Sequence, residues 1–131
     1  MLSEQDQLAI HRLVALYGYV IDERRYSRTE ELFTVDAVYD VTQRGAGLHR
    51  GVEQIRSLWK STDAHPLAHH GTNVVIDPID DGRVSLYFKN LCVHNDGSVH
   101  STTYQCQAAV TQDGWRISHL VAEMRANPSG A

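Results

Sequence analysis

Apolar residues recur at steps of three and four along the first part of the chain, which is the period of an amphipathic α-helix. Ser3 and Asp6 have the spacing of a capping pair and mark the start of this helix. The charged residues 22–25 interrupt the pattern and end the helix. Its predicted buried face consists of Ile10, Leu13, Val14, Tyr17, Val20 and Ile21.

The pattern next predicts a shorter second helix over residues 28–33, with Phe33 at its buried end, and then a strand over residues 37–41. Glycines at positions 45 and 47 predict a turn that closes this strand. Gly51 leads into a third helix, whose apolar face consists of Val52, Ile55, Leu58 and Trp59.

The second half of the chain has the pattern of an antiparallel meander. Strands are predicted over residues 69–76, 84–93, 99–110 and 115–124, separated by turns that each contain Asp-Gly. Asp-Gly is typical of the mirror-image hairpin turn, which requires φ > 0. The sequence therefore predicts an α+β fold with a curved antiparallel or mixed sheet wrapped around three N-terminal helices. Such an arrangement can enclose a cavity that is open at one end.

Composition indicates one globular domain over residues 1–126, followed by a loose tail at 127–131. Of the 131 residues, 42 % are hydrophobic and 21 % charged, an ordinary balance for a folded domain. The net charge of −4 and the scattered Lys and Arg residues argue against nucleic-acid binding.

The chain has no apolar run of about 20 residues and no signal-peptide pattern, so neither a membrane segment nor secretion is expected. Cys92 and Cys106 lie in strand-like runs and are predicted to be buried free thiols in a cytoplasmic protein.

Five short motifs occur in a characteristic order along the chain. They are LYGYVID at 16–22, LFTVDAVY at 32–39, GVEQI at 51–55, HHGTN at 69–73 and GWRI at 114–117. This series resembles the SnoaL-like family of the NTF2-like superfamily over residues 8–124. The resemblance implies an NTF2-like cone fold, and that fold hosts many activities.

Within the family, the motifs look like those of the branch that contains scytalone dehydratase, bile-acid dehydratase and hexachlorocyclohexane dehydrochlorinase. That resemblance implies an Asp–His pair that removes a proton, carried over to Asp22 and His69, with assistance from a tyrosine at Tyr17. The dehydrochlorinase also has a functional arginine on its final strand. Residues 118–120 contain no arginine here, which argues against the same substrate.

These residue types fit the elimination of water or HX from a carbon skeleton. The imidazole of His69 has a reference pKa near neutrality and is suited to act as the base. Asp22, by accepting the other ring N–H at about 2.6–3.2 Å, would fix the tautomer and stabilise the imidazolium. Tyr17 would polarise a carbonyl or protonate a leaving hydroxyl. Asn73 lies four residues after His69, so strand alternation predicts that both side chains share one face and that Asn73 is an oxyanion donor.

Each assignment has a structural alternative. Asp22 can simply end the helix among solvated charges, and His69 can be a residue at the edge of a strand. A shift of one residue would bring His70 to the cavity instead of His69. Tyr17 can be an ordinary core residue. The other predicted substrate-binding residues can also be mostly core, and they are Phe33, Tyr39, Trp59, Tyr104, His119 and Met124.

We expect neither a metal nor a cofactor. His65 and His69 have tolerable ligand spacing, but no acidic residue accompanies them with motif spacing. The expected activity is a cofactor-independent lyase, dehydratase-like or dehydrohalogenase-like, that takes a proton from a small hydrophobic ring substrate. The expected assembly is a homo-oligomer, a dimer or trimer, by family resemblance.

Three alternative functions stay open at this stage. The ketosteroid isomerases resemble this chain in layout, but their basic carboxylate falls at Val41, with Asp40 next to it on the opposite strand face. A polyketide-cyclase-like isomerase would use an acidic residue in the same cavity. A non-catalytic ligand-binding or assembly module would need no Asp–His pair at all.

Overall fold

A computed structural model describes residues 2–124 and has the α+β arrangement that the sequence predicts, with three helices and a six-stranded sheet. The predicted tail at 127–131 lies outside the described residues. In chain order the elements are α1 (Glu4–Asp22), a 3₁₀ helix (Tyr26–Glu31), β1 (Phe33–Asp40), a 3₁₀ turn (Thr42–Arg44), β2 (Leu48–Arg50), α2 (Val52–Ser61), β3 (Ala68–Asp80), β4 (Arg83–Val93), β5 (Val99–Thr111) and β6 (Gly114–Met124).

The capping pair at the start of α1 is confirmed. The backbone N–H of Asp6 donates to Ser3 Oγ at 3.0 Å, and the backbone N–H of Ser3 donates to the Asp6 carboxylate at 3.2 Å. The other oxygen of that carboxylate accepts from Trp115 Nε1 at 3.0 Å, which ties the first turn of α1 to β6. All six residues of the predicted apolar face are buried. No helix in residues 2–124 is long and apolar enough to cross a membrane.

The sheet has the strand order β2-β1-β6-β5-β4-β3 and is mixed, because β1 and β6 are parallel while the other neighbouring pairs are antiparallel. Helix α1 packs on one face of the sheet, against β3 and β6. The core between the helices and this face is apolar and includes Leu86, Phe88 and Ile117. The two cysteines are free and buried, as predicted.

Two glycines allow α1 and β3 to approach closely. A Cβ atom on Gly18 would lie 2.7 Å from the backbone oxygen of His69, and one on Gly71 would lie 2.6 Å from Val14 Cγ1. Both distances are shorter than atoms tolerate. A side chain at position 18 would meet backbone, which cannot move aside, whereas one at position 71 would require Val14 to shift. The close approach places the last turn of α1 beside the first residues of β3.

The second predicted helix is partly wrong. A 3₁₀ helix covers Tyr26–Glu31 instead of residues 28–33, and Phe33 begins β1 instead of ending a helix. The backbone N–H of Ile117 in β6 donates to Leu32 O at 2.7 Å. Pairing with β6, which is distant in sequence, therefore favours an extended conformation from residue 33 onward. The short strand β2 was not predicted, because three residues are too few to show an alternating pattern.

The three Asp-Gly turns connect β3 to β6 as predicted, but none is a mirror-image turn. Asp81 and Gly82 both have ordinary backbone angles, whereas Gly97 and Gly114 have φ values of 85° and 108°. The Asp80 carboxylate accepts from the Gly82 N–H at 3.0 Å, and this local hydrogen bond stabilises an ordinary turn there.

Candidate active site

The last residue of α1, Asp22, contacts the second residue of β3, His69. Oδ1 of Asp22 lies 2.6 Å from Nδ1 of the His69 ring, and Oδ2 accepts from the backbone N–H of His69 at 2.8 Å. The His69 side chain is only 3 % exposed and that of Asp22 is 12 % exposed. One carboxylate therefore fixes both the backbone and the ring of His69.

This contact determines the tautomer of His69. An ionised carboxylate can only accept a hydrogen bond, so Nδ1 carries the proton and Nε2 keeps its lone pair. Nε2 has no hydrogen-bond partner within residues 2–124. Burial lowers the pKa of His69 below its usual value; Asp22 opposes this effect, and the positive charge of Arg44 lowers the pKa further. The ring is therefore neutral at neutral pH, with a free basic nitrogen.

His69 lines a cavity of about 190 Å³. The cavity lies between α1, α2, the end of β1 and the loop that follows α2. Its walls are mainly aromatic and aliphatic, as in most small-molecule sites, and include Tyr17, Ile21, Tyr39, Val41, Leu58 and Trp59. The cavity is large enough for one small ring compound.

A chain of hydroxyl groups borders the cavity beside His69. The Tyr17 and Tyr39 hydroxyl oxygens are 2.6 Å apart, and Trp59 Nε1 donates to the Tyr39 hydroxyl at 3.4 Å. Burial raises the pKa of Tyr17 well above its usual value and also raises that of Tyr39. Both tyrosines therefore stay protonated. One hydroxyl donates to the other, so a single hydroxyl proton of the pair is left for a bound molecule. The Tyr17 and His69 ring centroids are 6.2 Å apart, so the Tyr17 hydroxyl and the basic nitrogen of His69 lie beside the same small part of the cavity.

The predicted substrate-binding aromatics form two layers. Tyr39 and Trp59 line the cavity together with Tyr17. Phe33 lies behind them and packs edge-on against Tyr39 at 5.8 Å between ring centroids. Tyr104 is also behind the wall, with its hydroxyl 3.5 Å from that of Tyr17. Phe33 and Tyr104 thus support the cavity instead of lining it.

The predicted placement of Asn73 is wrong. His69 points inward and His70 is exposed, but the ladder between β3 and β4 shifts its register between Thr72 and Val75. Asn73 lies in this bulge with φ of 55°, and its side chain is exposed. The extra residue reverses the alternation, so Asn73 does not share the face of His69 and cannot be its oxyanion donor.

His119 and Met124 do not reach the cavity either. In the pairing of β5 with β6, Gln107 lies opposite His119 and the next residue, Ala108, lies opposite Ile117. Residue 118 is therefore an extra residue on β6, which reverses the alternation and turns His119 outward. Met124 is 41 % exposed at the end of β6, beyond the cavity. Neither residue is placed to bind a molecule beside His69.

Sequence reasoning missed Arg44, which lines the cavity from the 3₁₀ turn after β1. Loop residues have no periodicity that indicates where they point, although a cation between a strand and a glycine-rich turn was a possible signal.

Val41 lines the cavity, whereas Asp40 faces away and accepts from Thr42 Oγ1 at 2.7 Å. His65 also lines the cavity, with Nε2 2.8 Å from Trp59 O.

No cluster in residues 2–124 has three or more His, Cys, Asp or Glu side chains placed to hold a metal. Cys92 pairs with His69 across the β3–β4 ladder, and burial raises its pKa to about 11. The thiol stays protonated at neutral pH and adds no nucleophile to the site.

The SnoaL-like domain family matches residues 3–121. None of the curated protein sequences is significantly similar to the chain.

Solved structures with the same fold span nearly all of the chain. The Kfla4162 protein from Kribbella flavida superposes with a TM-score of 0.81 at 21 % identity, over 94 % of this chain and 93 % of that one. A hexachlorocyclohexane dehydrochlorinase from Novosphingobium barchaimii has a TM-score of 0.79 at 23 % identity, over 95 % and 92 %. A scytalone-dehydratase-like protein from Novosphingobium aromaticivorans has a TM-score of 0.76 at 16 % identity, over 92 % and 84 %. At these identities the likeness shows the fold.

Proposed function

Since the chain belongs to the SnoaL-like domain family, we propose that it is a cofactor-independent lyase that removes a proton from a small hydrophobic ring substrate. His69 is the base, Asp22 orients it, and Tyr17 is the hydrogen-bond donor to the group that leaves or to a carbonyl next to the reacting carbon. The product is an alkene, formed with loss of water or HX.

The observation that carries this proposal is the Asp22–His69 pair in the wall of the cavity. Nε2 of a neutral ring takes the proton from carbon, and the ring becomes an imidazolium. Asp22 then accepts a hydrogen bond from a cation instead of a neutral ring, which stabilises the charge that develops. General base catalysis of this kind contributes about 10²- to 10⁴-fold to a rate.

The proposed elimination also accounts for the electron pair and the leaving group. The electron pair of the broken C–H bond forms the double bond as the carbon–oxygen or carbon–halogen bond breaks. A leaving hydroxyl accepts a hydrogen bond from Tyr17, whose hydroxyl is supported by Tyr39 and, through Tyr39, by Trp59. It departs as water with the proton that His69 took from carbon, which returns the ring to its neutral form. A halide leaves as the anion, and the imidazolium then releases its proton to solvent. Such donors are most effective in a site that excludes water.

The named neighbours favour elimination as the reaction class. One is a hexachlorocyclohexane dehydrochlorinase and another resembles a scytalone dehydratase. An isomerase of the ketosteroid type has less support, because Val41 stands where the base is expected and the Asp40 carboxylate bonds to Thr42 outside the cavity. A scaffold or assembly module has less support because the cavity is not filled by side chains.

We also propose a cytoplasmic homo-oligomer, a dimer or trimer formed through the outer face of the sheet, on the basis of family resemblance. Light scattering coupled to size-exclusion chromatography would measure the mass directly. A mass of one chain at micromolar concentration would contradict this part of the proposal.

The reaction is tested with a panel of β-hydroxy cyclic ketones and halogenated cyclohexanes. Wild-type protein should form alkenes from at least one class and exchange the reacting C–H with solvent deuterium. His69→Gln should abolish both signals. His70→Gln is the matched control, since that side chain is exposed beside the same strand, and it should keep full activity. Activity that survives His69→Gln would reject the proposal.

A further inference from the structure

Arg44 differs from the paired arginines of the chain. Arg28, Arg56 and Arg83 each form ion pairs with acidic side chains close by. Arg44 lines the cavity, and its guanidinium contacts no carboxylate within residues 2–124. An exposed cation at the edge of a cavity, without a carboxylate partner, is available to a ligand.

Arg44 is the one arginine or lysine among the side chains that line the cavity within residues 2–124. Among the described residues, none of the side chains that line it is acidic. Asp22 does not line this cavity, and both oxygens of its carboxylate accept from His69. The positive charge of Arg44 therefore lies on a side of the cavity where no lining residue is acidic, and it attracts anions there.

The turn that carries Arg44 is held by several local contacts. The Asp40 carboxylate accepts from both the backbone N–H and the hydroxyl of Thr42, at 3.1 and 2.7 Å. The backbone N–H of Arg44 donates to Val41 O at 3.0 Å. Gly45 ends the turn with φ of 78°, in the left-handed region that favours glycine. The backbone at Arg44 is thus organised before any ligand binds, and the guanidinium is left without a hydrogen-bond partner among the described residues.

We propose that Arg44 is an anion subsite and that the natural substrate is a hydrophobic ring that carries a carboxylate. The inference rests on the proposed function, because it specifies the substrate class of the same cavity. Arg44 is an exposed residue of the cavity lining, so the carboxylate binds at the solvent side of the cavity by two parallel N–H···O bonds. The ring then lies among Tyr17, Tyr39 and Trp59, with a C–H directed to His69.

Charge neutralisation at Arg44 also affects the base. Burial has the largest effect on the pKa of His69 and lowers it; Asp22 raises this pKa, and Arg44 and His65 lower it further. A carboxylate bound at Arg44 cancels part of that positive charge. His69 therefore becomes a stronger base when the correct substrate is in place.

The test compares benzoate with benzamide, two non-reacting probes of nearly equal shape that differ in charge. Binding is followed by NMR through the Trp59 indole and His69 ring signals of the full chain. Wild-type protein should prefer benzoate. Arg44→Gln should weaken benzoate binding by about 10- to 100-fold, the value of a hydrogen-bonded charge pair, and leave benzamide binding unchanged. Arg50→Gln, an exposed arginine on β2 outside the cavity, is the matched control and should change neither.

Three outcomes would overturn the proposal. The first is equal affinity of wild-type protein for the two probes. The second is no change in the Trp59 and His69 signals with either probe. The third is that Arg44→Gln weakens the binding of both probes equally. The last would indicate that Arg44 only supports the fold of the turn. Because the probes do not react, the result is independent of catalysis. A protein that selects benzoate but forms no alkene would reject the lyase and keep the anion subsite.

Discussion

The carboxylate of Asp22 holds His69 by two hydrogen bonds, one to the ring nitrogen Nδ1 at 2.6 Å and one to the backbone N–H at 2.8 Å. The first bond sets the tautomer of the ring, and the second joins the end of α1 to the start of β3. A helix terminus and a strand are thus fixed by the side chain that orients the proposed base. Function and local structure are therefore linked at this residue.

Replacing Asp22 with Asn tests the electrostatic part of this relationship. Asn keeps the size of the side chain and one acceptor oxygen but loses the charge that stabilises the imidazolium. We expect kcat for elimination to fall by about 10²- to 10⁴-fold with a small change in KM. Steady-state kinetics measure both, and Asp36→Asn, at an exposed position on β1, is the control. Loss of less than threefold would show that Asp22 only ends the helix.

The pH dependence of activity follows from the lowered pKa of His69. The base must be neutral to accept a proton, so kcat/KM should be constant near pH 7 and fall only in acid, below the usual histidine value of 6.5. The pH profile of the wild-type enzyme measures the midpoint. A midpoint at or above 6.5 would contradict the dominant effect of burial.

The same shift affects stability. Between the usual value of 6.5 and the lower pKa in the folded protein, the unfolded chain binds more protons than the folded one. The free energy of unfolding should therefore decrease as the pH falls through this interval. Urea unfolding at several pH values checks this, and His69→Gln should flatten that part of the curve.

Gly18→Ala should destabilise the protein although alanine favours helices. In an exposed helix this change stabilises by about 0.5–1 kcal/mol. Here the new Cβ would lie 2.7 Å from the backbone oxygen of His69, which cannot rotate away. Overpacking of this kind costs about 1–3 kcal/mol, so a net loss in the free energy of unfolding is expected. A stabilised variant in urea unfolding would show that α1 and β3 do not approach this closely.

Tyr17→Phe should lower kcat because it removes the proposed donor while keeping the ring. We expect a loss of about 10- to 100-fold, the effect of one hydrogen bond to a group that gains charge. Tyr104→Phe is the matched control, since its hydroxyl is 3.5 Å from that of Tyr17 and its side chain lies behind the cavity wall. Equal effects of both substitutions would assign Tyr17 to the core.

Strand alternation was a good guide to burial only where no bulge intervened. It placed His69 on the inner face correctly. It failed for Asn73 and His119, because each of them lies at or after a bulge in the pairing of its strand with the neighbouring strand. A bulge depends on the partner strand as much as on its own residues, so one strand read alone does not reveal it.

The sequence by itself determined the order and type of most elements, because caps, turn residues and hydrophobic periods act between near neighbours. The resemblance of its motifs to the SnoaL-like family also implied Asp22, Tyr17 and His69 as residues of the candidate site. Only the tertiary structure decided that Phe33 joins a strand, that Asn73 faces away from the cavity and that Arg44 borders it. These outcomes depend on contacts between residues far apart in the chain, and such contacts exist only once the helices and strands pack together.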